Sequence, residues 1–568
     1  MAGVMRNARA ALVVPLLLAA AACSDEAPTA APPQQSVSAV PSPSVTSSDP
    51  VAAALAQMSD IDLAGQVLMP YAYGSSATSV DKTSAAGNQG LAGVNTPAEM
   101  IAKFHLGGLI LVSFTAQDPT GATNPTTNVE NPKQVRAFTD GLQAAAAQTP
   151  GGAPLMIGID QEYGVVTRVT NGVTMLPSAM AAGAAAKPQL TENAWRAAGD
   201  ELAAMGVTAD FAPVADTLGP PDNTVIGSRS FGADAKANAT QVAAAVRGLQ
   251  KAGVVAGLKH FPGHGHTSGD SHDSLPVVTQ SRAAWDTQDL PPFRSGIDAG
   301  AGIVMSGHLD VQALDKGVPA TFSHKVMTDE LRGRLKFTGV AVTDAMNMPP
   351  AMTWPPGEAA VRALNAGNDM LLMPPNITAA RDGIVTALKD GTLKRERLVE
   401  AVTRILTLKL RKPAAPRPDI TTVGSPAHAT AVAPLAAAAV TVLRGPCAGP
   451  LATGPVSVSA DDVRQTAKLT LTKELQAAGL TVQPTGGTVI RLVGYGDKPA
   501  DLDQTATITI AMDTPHILAA STSKTLIATY SSSRLSLTAA AQLIAGKSKP
   551  QGKSPVPIQS LPTSACPA

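Results

Sequence analysis

One glycine-rich loop concentrates the side chains of this chain that could do chemistry. Residues 259–272 read KHFPGHGHTSGDSH and hold a lysine, four histidines and an aspartate between three glycines and a proline. So many titratable side chains are unsuited to packing in an apolar core, which favours a functional role for the loop. His272 follows Asp270 by two residues, and a nearby carboxylate can orient an imidazole and hold it ready for proton transfer near neutral pH. The Asp270–His272 pair is therefore a candidate general acid/base.

Other interpretations of this loop stay open. A zinc site is one, and its ligands would be His264, His266, Asp270 and His272. Against it, a catalytic zinc needs three well-placed ligands, a glycine-rich loop holds them loosely, and the sequence has no HExxH helix. Lys259 and His260 could instead clamp a substrate as hydrogen-bond donors. An exposed polar loop without a function is the remaining alternative.

Polar side chains also follow other buried strands. Asp160 stands in LMIGIDQE and Asp344 in GVAVTDAM, each directly after an apolar run, and Asp216, the pair 259–260 and His308 occupy similar positions. An aspartate after a strand is often the N-cap of the next helix. Asp344 could therefore be a helix N-cap. The polar residues at the ends of so many strands favour instead that Asp344 belongs to a site shared by those strand ends.

The elements that must position these groups alternate between strand and helix. Apolar runs predict strands at 108–113, 155–160, 207–213, 254–260, 302–308, 340–344 and 370–374. Amphipathic patterns predict helices at 133–147, 192–205, 235–252, 325–335, 357–366 and 395–410. About eight such units over 51–411 predict a (β/α)8 TIM-type barrel, with an open doubly wound sheet as the alternative. The polar strand ends favour the barrel, whose carboxyl-terminal strand ends carry the chemistry.

A smaller α/β domain is predicted at 425–568, after a proline- and charge-rich linker at 412–424. Its pattern predicts strands at 440–444, 488–493, 505–512 and 525–530 and helices near 427–439 and 535–545. We expect a three-layer α/β sandwich. Cys447 and Cys566 both fall in this domain, and two leftover cysteines in one domain of an exported protein predict a disulfide.

The first 50 residues predict export and anchoring. Residues 1–22 carry Arg6 and Arg9, then thirteen residues without a charge that end in small side chains before Cys23. That is the pattern of a signal peptide, too short to span a membrane. The run before Cys23 resembles a bacterial lipoprotein signal, which implies a lipid on Cys23, although simple secretion stays the alternative. Residues 23–50, rich in proline and serine, predict a flexible tether.

Composition excludes several classes of protein. Lys and Arg together count 43, as do Asp and Glu, so the net charge is zero and gives no electrostatic footprint for nucleic acid. Apolar residues make up 44% of the chain, which is ample for a buried core and excludes global disorder. Three cysteines in 568 residues exclude a disulfide scaffold and a cysteine-built zinc module.

The KHFPGHG run, followed by DSH and Pro276, resembles the signature loop of glycoside hydrolase family 3, in its bacterial β-N-acetylglucosaminidase (β-hexosaminidase) branch. The likeness extends through IGIDQE, DFAPVAD, IGSRSFG, PATFS, FTGVAVTDAM and AGNDMLLMP between residues 157 and 374. The N-terminal signal segment and the alanine-rich composition resemble those of actinobacterial, mycobacterial-type lipoproteins of the family. The resemblance implies an exported enzyme, lipid-anchored to the outer face of the cell membrane, with no metal, no cofactor and no nucleic-acid partner.

The resemblance also implies roles for individual residues. Asp344, in TDAM, would be the nucleophile, and His272 the general acid/base with Asp270 as its partner. The sugar-clamping groups would be Asp160, Arg229, Lys259, His260 and the retained Arg168. A retaining glycosidase needs a carboxylate nucleophile and a proton donor. An imidazole suits the second role because its ordinary pKa is about 6.5.

The implied activity is removal of terminal β-linked N-acetylglucosamine, with GlcNAc–MurNAc wall fragments as substrate in peptidoglycan turnover. A phosphorolytic variant of the enzyme and an envelope sugar-binding lipoprotein without catalysis are the alternatives. Aromatic residues are only 3% of the chain, which is few for a binding protein that stacks aromatic rings on sugars.

The chain departs from the family's DQEGGRVxR pattern at Tyr163 and Val165, so the wall of the site is altered there. The polar loops 74–98 and 114–131 could reshape the rim or be plain surface insertions.

Overall fold

The computed structural model describes residues 49–114, 118–267, 269–411 and 416–567. The predicted signal peptide and Cys23 lie outside these residues, as does the tether up to residue 48 and the linker segment 412–415. Within the described ranges, no helix is both long and apolar enough to cross a membrane.

Parallel strands organise the first part of the chain. They are β1 (Leu68–Met69), β2 (Gly108–Leu111), β3 (Met156–Ile159), β4 (Ala209–Asp210), β5 (Val255–Phe261), β6 (Val277–Val278), β7 (Ile303–Ser306), β8 (Asp310–Val311), β9 (Val340–Thr343) and β10 (Leu371–Leu372). One sheet has the order β2-β3-β4-β5-β7-β9, while β1 pairs with β10 and β6 with β8.

The two edges of the curled sheet are joined through the β1–β10 pair. The Ile110 amide donates to the Pro70 carbonyl at 3.0 Å on one side, and Val342 bridges Met370 on the other. This closure confirms the predicted (β/α)8 barrel and excludes the open doubly wound alternative. Strand β1 escaped sequence analysis because two residues are too short to show a periodic pattern.

Helices cover the outside of the barrel. They are α1 (Pro50–Leu55), α2 (Asp60–Gln66), α3 (Lys82–Ala92), α4 (Pro97–Phe104), α5 (Pro132–Ala146), α6 (Ala179–Ala185), α7 (Pro188–Ala204), α8 (Ala235–Lys251), α9 (Arg282–Gln288), α10 (Leu290–Asp298), α11 (Gln312–Asp315), α12 (Pro356–Ala366), α13 (Ile377–Asp390) and α14 (Arg395–Leu410). The predicted helix at 325–335 is a π-helix, Lys325–Arg334.

Helix α8 shows how the sequence specifies these elements. The Asp234 side chain caps it by accepting from the Ala237 amide at 2.7 Å, which satisfies one of the free amides of the first turn. Val242, Val246 and Leu249 follow at helical spacing and are all fully buried against the barrel core.

The second sheet lies in the carboxyl-terminal part of the chain. Its strands are β11 (Thr441–Arg444), β12 (Val456–Ser459), β13 (Thr488–Val493), β14 (Ile508–Ala511) and β15 (Thr525–Ala528), and its helices are α15 (Pro426–Ala439), α16 (Gln465–Ala477) and α17 (Arg534–Ile544). The order is β11-β15-β14-β13-β12, with only the β11–β15 pair antiparallel. Cys447 and Cys566, the pair singled out in the sequence, are joined by a disulfide.

This part has its own apolar core and packs directly on the barrel. The Ser178 hydroxyl donates to the Tyr530 carbonyl at 2.6 Å, and the Ala233 amide donates to the Pro555 carbonyl at 3.0 Å. Ser178 follows β3 and Ala233 follows β4, so the second sheet approaches the end of the barrel where the strands finish.

Candidate active site

One pocket at the carboxyl ends of the barrel strands gathers the predicted site residues. The space that it encloses, counted out to open solvent, is about 510 Å³. Eight residues singled out from the sequence line it: Asp160, Arg168, Arg229, Lys259, His260, His264, His272 and Asp344. Asp270 does not line the pocket but lies directly behind His272.

Asp344 follows strand β9 without a break. Its amide donates to the Ser306 carbonyl at 2.9 Å, which continues the parallel ladder, and its Oδ1 accepts from the Ala345 amide at 2.7 Å. The next α-helix, α12, begins only at Pro356. The helix N-cap interpretation of Asp344 is therefore wrong, and the carboxylate faces the pocket.

The surroundings of Asp344 favour its ionised form. Burial by itself opposes ionisation, but the charges of His260, His308 and His272 and the Ala345 amide together hold the pKa of this carboxyl below its ordinary value. A carboxylate that stays ionised is available for attack on an electrophilic carbon.

His308 lies behind Asp344 rather than among the lining residues. Its Nε2 is 3.1 Å from the Ala345 carbonyl and its Nδ1 is 2.9 Å from the Thr321 hydroxyl. Burial lowers its pKa although the charge of Asp344 opposes that shift. His308 therefore supports the segment that carries Asp344.

His272 is held by the carboxylate two residues before it. Asp270 Oδ1 accepts from the His272 amide at 2.9 Å and lies 2.7 Å from His272 Nδ1. Hydrogen bonds from His272 outweigh burial and hold the pKa of Asp270 below its ordinary value. Because Nδ1 is engaged with a carboxylate, Nε2 is the nitrogen left to exchange a proton with a ligand.

Two glycines let the signature loop fold tightly. Gly263 has φ +129°, a conformation that side chains rarely adopt. A Cβ on Gly265 would lie 1.9 Å from the Thr217 carbonyl oxygen, so only glycine permits this close approach. The loop can thereby return across the pocket and present His272.

The histidines of this loop do not form the zinc site considered above. His264 bonds Ser271 and Thr267, each at 3.0 Å, His266 bonds Asp289 at 2.8 Å, and His272 bonds Asp270. Burial lowers the pKa of His264 to about 4, so its ring is neutral near pH 7. Within the described residues, no three His, Cys, Asp or Glu side chains are grouped to hold a metal ion.

A buried ion-pair network forms one wall of the pocket. Glu162 binds Arg229 in a bidentate pair, at 2.7 and 2.9 Å, and lies 2.6 Å from Lys259 Nζ. Lys259 also donates to Asp160 at 2.7 Å. Burial disfavours the charge of Glu162, but Arg229 and Lys259 outweigh it and hold its pKa far below the ordinary value. Glu162 therefore holds two cations in place at the pocket wall.

His260 is oriented in the same manner as His272. Asp216 Oδ2 lies 2.7 Å from His260 Nδ1, and Asp216 Oδ1 accepts from the amides of His260 and His264. Against burial, the charge and hydrogen bond of His260 and the His264 amide hold the pKa of Asp216 below its ordinary value. Asp216 thus fixes the strand end that carries Lys259 and His260.

Residues 118–124, from one of the two polar loops that could reshape the rim, form part of the pocket wall, although the sequence did not single out the individual residues. Arg168 forms a buried ion pair with Asp118 and donates to the Thr120 hydroxyl at 2.9 Å. Thr123 and Asn124 line the pocket as well. Of the two alternatives for this polar loop, a reshaped rim and a plain surface insertion, the positions of Thr120, Thr123 and Asn124 favour the first.

The arrangement combines an ionised carboxylate, a carboxylate-oriented imidazole and several fixed hydrogen-bond donors around one pocket. Attack on carbon, proton transfer and clamping of a polyhydroxylated ligand are the reactions that such groups support. The fold and the site are those expected of a (β/α)8-barrel glycoside hydrolase, the class that the sequence resembles.

Comparison with known proteins gives the same class. Residues 66–408 match the model of the glycosyl hydrolase family 3 N terminal domain. The chain is 35% identical over 376 residues to beta-hexosaminidase A of Pseudoalteromonas piscicida, which covers 61% of each protein. It is 32% identical over 320 residues to beta-hexosaminidase LpqI of Mycobacterium tuberculosis, covering 55% of this chain and 77% of that protein.

A solved structure of a family 3 β-N-acetylglucosaminidase from Paenibacillus sp. FPU-7 is similar over most of the molecule. The TM-score is 0.75 and the identity 31%, over 88% of this chain and 99% of the Paenibacillus chain. The chain therefore belongs to glycoside hydrolase family 3.

Proposed function

We propose that this protein is a retaining exo-β-N-acetylglucosaminidase. The observation that carries the proposal is that Asp344 and His272, 72 residues apart along the chain, line one pocket, and that Asp270 holds His272 from behind at 2.7 Å. Two relatives named beta-hexosaminidase and a solved β-N-acetylglucosaminidase structure support the same activity.

The proposed reaction has two steps. In the first, His272 Nε2 donates a proton to the glycosidic oxygen while a carboxylate oxygen of Asp344 attacks the anomeric carbon, so that the leaving group departs as an alcohol. In the second, the neutral imidazole takes a proton from water, which attacks the glycosyl–Asp344 ester and releases the sugar. The configuration at the anomeric carbon is retained because it is inverted twice.

The remaining groups hold the sugar for both steps. Asp160 accepts hydrogen bonds and Arg168, Arg229, Lys259 and His260 donate them, which suits the vicinal hydroxyls of a pyranose. We propose GlcNAc–MurNAc fragments of the cell wall as the natural substrate. We also propose that a lipid on Cys23 anchors the enzyme at the outer face of the cell membrane.

The activity is tested by comparing three chromogenic substrates. Purified protein is incubated with the 4-nitrophenyl β-glycosides of N-acetylglucosamine, glucose and xylose. We expect the first to be cleaved with a kcat/KM at least about tenfold above the others, since a site that hydrogen-bonds a substrate group discriminates against analogues lacking it. Equal rates on all three, or none, would contradict the proposal.

A further inference from the structure

A second polar pocket lies at the carboxyl edge of the second sheet, outside the site described above. Its empty volume is about 590 Å³. Six of its lining residues matter for what it can bind: Val165, Arg464, Thr470, Tyr495, Asp513 and Ser532. All but Val165 belong to the carboxyl-terminal part of the chain.

This pocket lies at the carboxyl ends of three neighbouring parallel strands. Tyr495 follows β13, Asp513 follows β14 and Ser532 follows β15, which are neighbours and parallel. Thr470 lies on α16, the helix between β12 and β13. Open α/β sheets bind ligands outside the carboxyl ends of their strands, at a switch in strand order. Here β13, β14 and β15 follow one another without a switch, so the pocket shares the edge of the sheet with such sites but not the switch.

Asp513 is a hydrogen-bond acceptor with unused capacity. The residue is 8% exposed, and its Oδ1 has no hydrogen-bond partner among the described residues. A buried polar atom without a partner is costly, and a ligand hydroxyl or amide would satisfy it. Burial accordingly raises the pKa of Asp513.

The one cation of the lining set is already matched. Arg464 contacts Asp497 at 2.8 Å and donates to the Tyr495 carbonyl at 2.6 Å. The pocket thus has no unmatched positive charge to attract an anion. The Tyr495 ring and Val165 add apolar surface, so the lining suits a ligand with both hydroxyl donors and apolar faces, which is the character of a pyranose ring.

This pocket shares a wall with the active site. Val165 lies in the loop between Glu162 and Arg168, both of which belong to the ion-pair networks of the active site. On another side, a Cβ on Gly227 would lie 3.4 Å from Cγ2 of Thr514, the residue after Asp513. Gly227 begins the turn that carries Arg229, so the two pockets flank the same two segments.

We infer that this pocket is a distal saccharide subsite, in which the second sheet holds a sugar unit of the leaving group while the barrel cleaves the terminal unit. The inference rests on the proposed glycosidase function and extends it to oligosaccharide substrates. Asp513 and Ser532 bind hydroxyls of that distal unit, and Tyr495 supplies the apolar contact.

The test fills the pocket without touching the catalytic groups. Thr470→Trp places a bulky ring in it, and Asp513→Asn is a smaller change that removes the carboxylate. Thr538→Trp on α17 is the matched control, since Thr470 and Thr538 are both half-buried and both bond the carbonyl four residues earlier, at 2.8 and 2.9 Å. Each variant is assayed with the 4-nitrophenyl N-acetylglucosaminide and with chitotetraose.

We expect Thr470→Trp to lower kcat/KM for chitotetraose by about tenfold and to change that for the nitrophenyl substrate by less than about twofold. Asp513→Asn should also lower kcat/KM for chitotetraose more than for the nitrophenyl substrate, but by a smaller factor. Thr538→Trp should leave kcat/KM unchanged for both substrates. Parallel effects on both substrates, or none on chitotetraose, would overturn the distal subsite.

A binding measurement separates this inference from the proposed function. Chitotriose is titrated calorimetrically into Asp344→Asn with and without Thr470→Trp, which needs no turnover. Weaker binding in the double variant supports the subsite, and equal binding overturns it. Absence of hydrolysis of every substrate by the wild type would refute the proposed function while leaving this binding result decisive for the pocket.

Discussion

At the scale of single residues, the two proposed catalytic groups depend on opposite kinds of surroundings. Asp344 is kept ionised by the histidines around it although burial works against its charge. His272 is oriented through Nδ1 by Asp270, which leaves Nε2 for the substrate. A nucleophile acts on every substrate alike, whereas a proton donor matters most where the leaving group is a poor one.

This difference predicts the behaviour of His272→Ala. We expect kcat/KM to fall by about 10²–10⁴-fold for chitobiose, whose leaving group needs a proton, and much less for an activated aryl glycoside. The measurement compares chitobiose with 2,4-dinitrophenyl N-acetyl-β-glucosaminide.

His266→Ala is the matched control, because His266 lies in the same loop but bonds Asp289 and does not line the pocket. It should leave the ratio of the two activities unchanged. Losses of equal size on both substrates in His272→Ala would count against proton donation.

At the scale of elements, the loop from 118 to 124 completes the site beside Arg168. The Arg168 and Asp118 side chains are both almost fully buried, at 1% and 0% exposure. Removing one partner of such a pair leaves an uncompensated buried charge. The loop is thus fixed to the barrel wall by the same residue that we expect to bind the sugar.

Asp118→Asn should therefore raise KM for the nitrophenyl N-acetylglucosaminide by about tenfold, since Arg168 loses the partner that orients it. Thr127→Ala, an exposed position in the same loop, is the control and should leave KM unchanged. Steady-state kinetics on both variants checks this, and a wild-type KM in Asp118→Asn would show that the loop does not position Arg168.

Sequence patterns predict many of the long elements of this fold and fail for the shortest strands, although the long helices α13 and α16 are also outside the prediction. The helix expected at 395–410 is α14 with the same bounds, and the strand expected at 488–493 is β13. Strand β12 and helix α16 were not predicted, and β4 has two residues where seven were expected. Parallel barrel strands are set by pairing with both neighbours, and a run of two residues carries no period to detect.

Local sequence patterns also predict only some of the site residues. Asp160, Lys259, His260 and Asp344 could be found because each ends a strand, and chemistry in barrels lies at strand ends. Asp118 could not, because its partner Arg168 is 50 residues away and lies in another loop. The pocket at Asp513 also depends on the approach of a barrel loop, at Val165, to the second sheet, which no local sequence pattern indicates.

At the scale of the whole molecule, a partly buried lysine at the opposite end of the barrel couples stability to pH. Lys409 donates to Gln66 at 2.8 Å, and burial lowers its pKa from 10.5 to about 7. Between those two values the unfolded chain binds a proton that the folded chain does not. Stability from this group therefore rises as pH increases from 7 to about 10 and is level below 7.

Lys409→Met should remove this dependence. We expect the gain in unfolding free energy between pH 7 and 9.5 to be smaller than in the wild type by roughly 1–2 kcal/mol, allowing for partial exposure of the side chain. Urea unfolding at both pH values measures it. Lys389→Met, at an exposed position on α13, is the control that should behave as the wild type, and an unchanged pH dependence in Lys409→Met would contradict the assignment.

The identity of the nucleophile is tested most directly by trapping it. A 5-fluoro N-acetylglucosaminyl donor with a 2,4-dinitrophenyl leaving group should form the glycosyl-enzyme faster than water removes it. Mass spectrometry of the digested protein should then find one added sugar on the peptide that contains Asp344, and none in Asp344→Asn. A sugar on another carboxylate, or turnover of the donor without any adduct in a catalytically active preparation, would contradict the account.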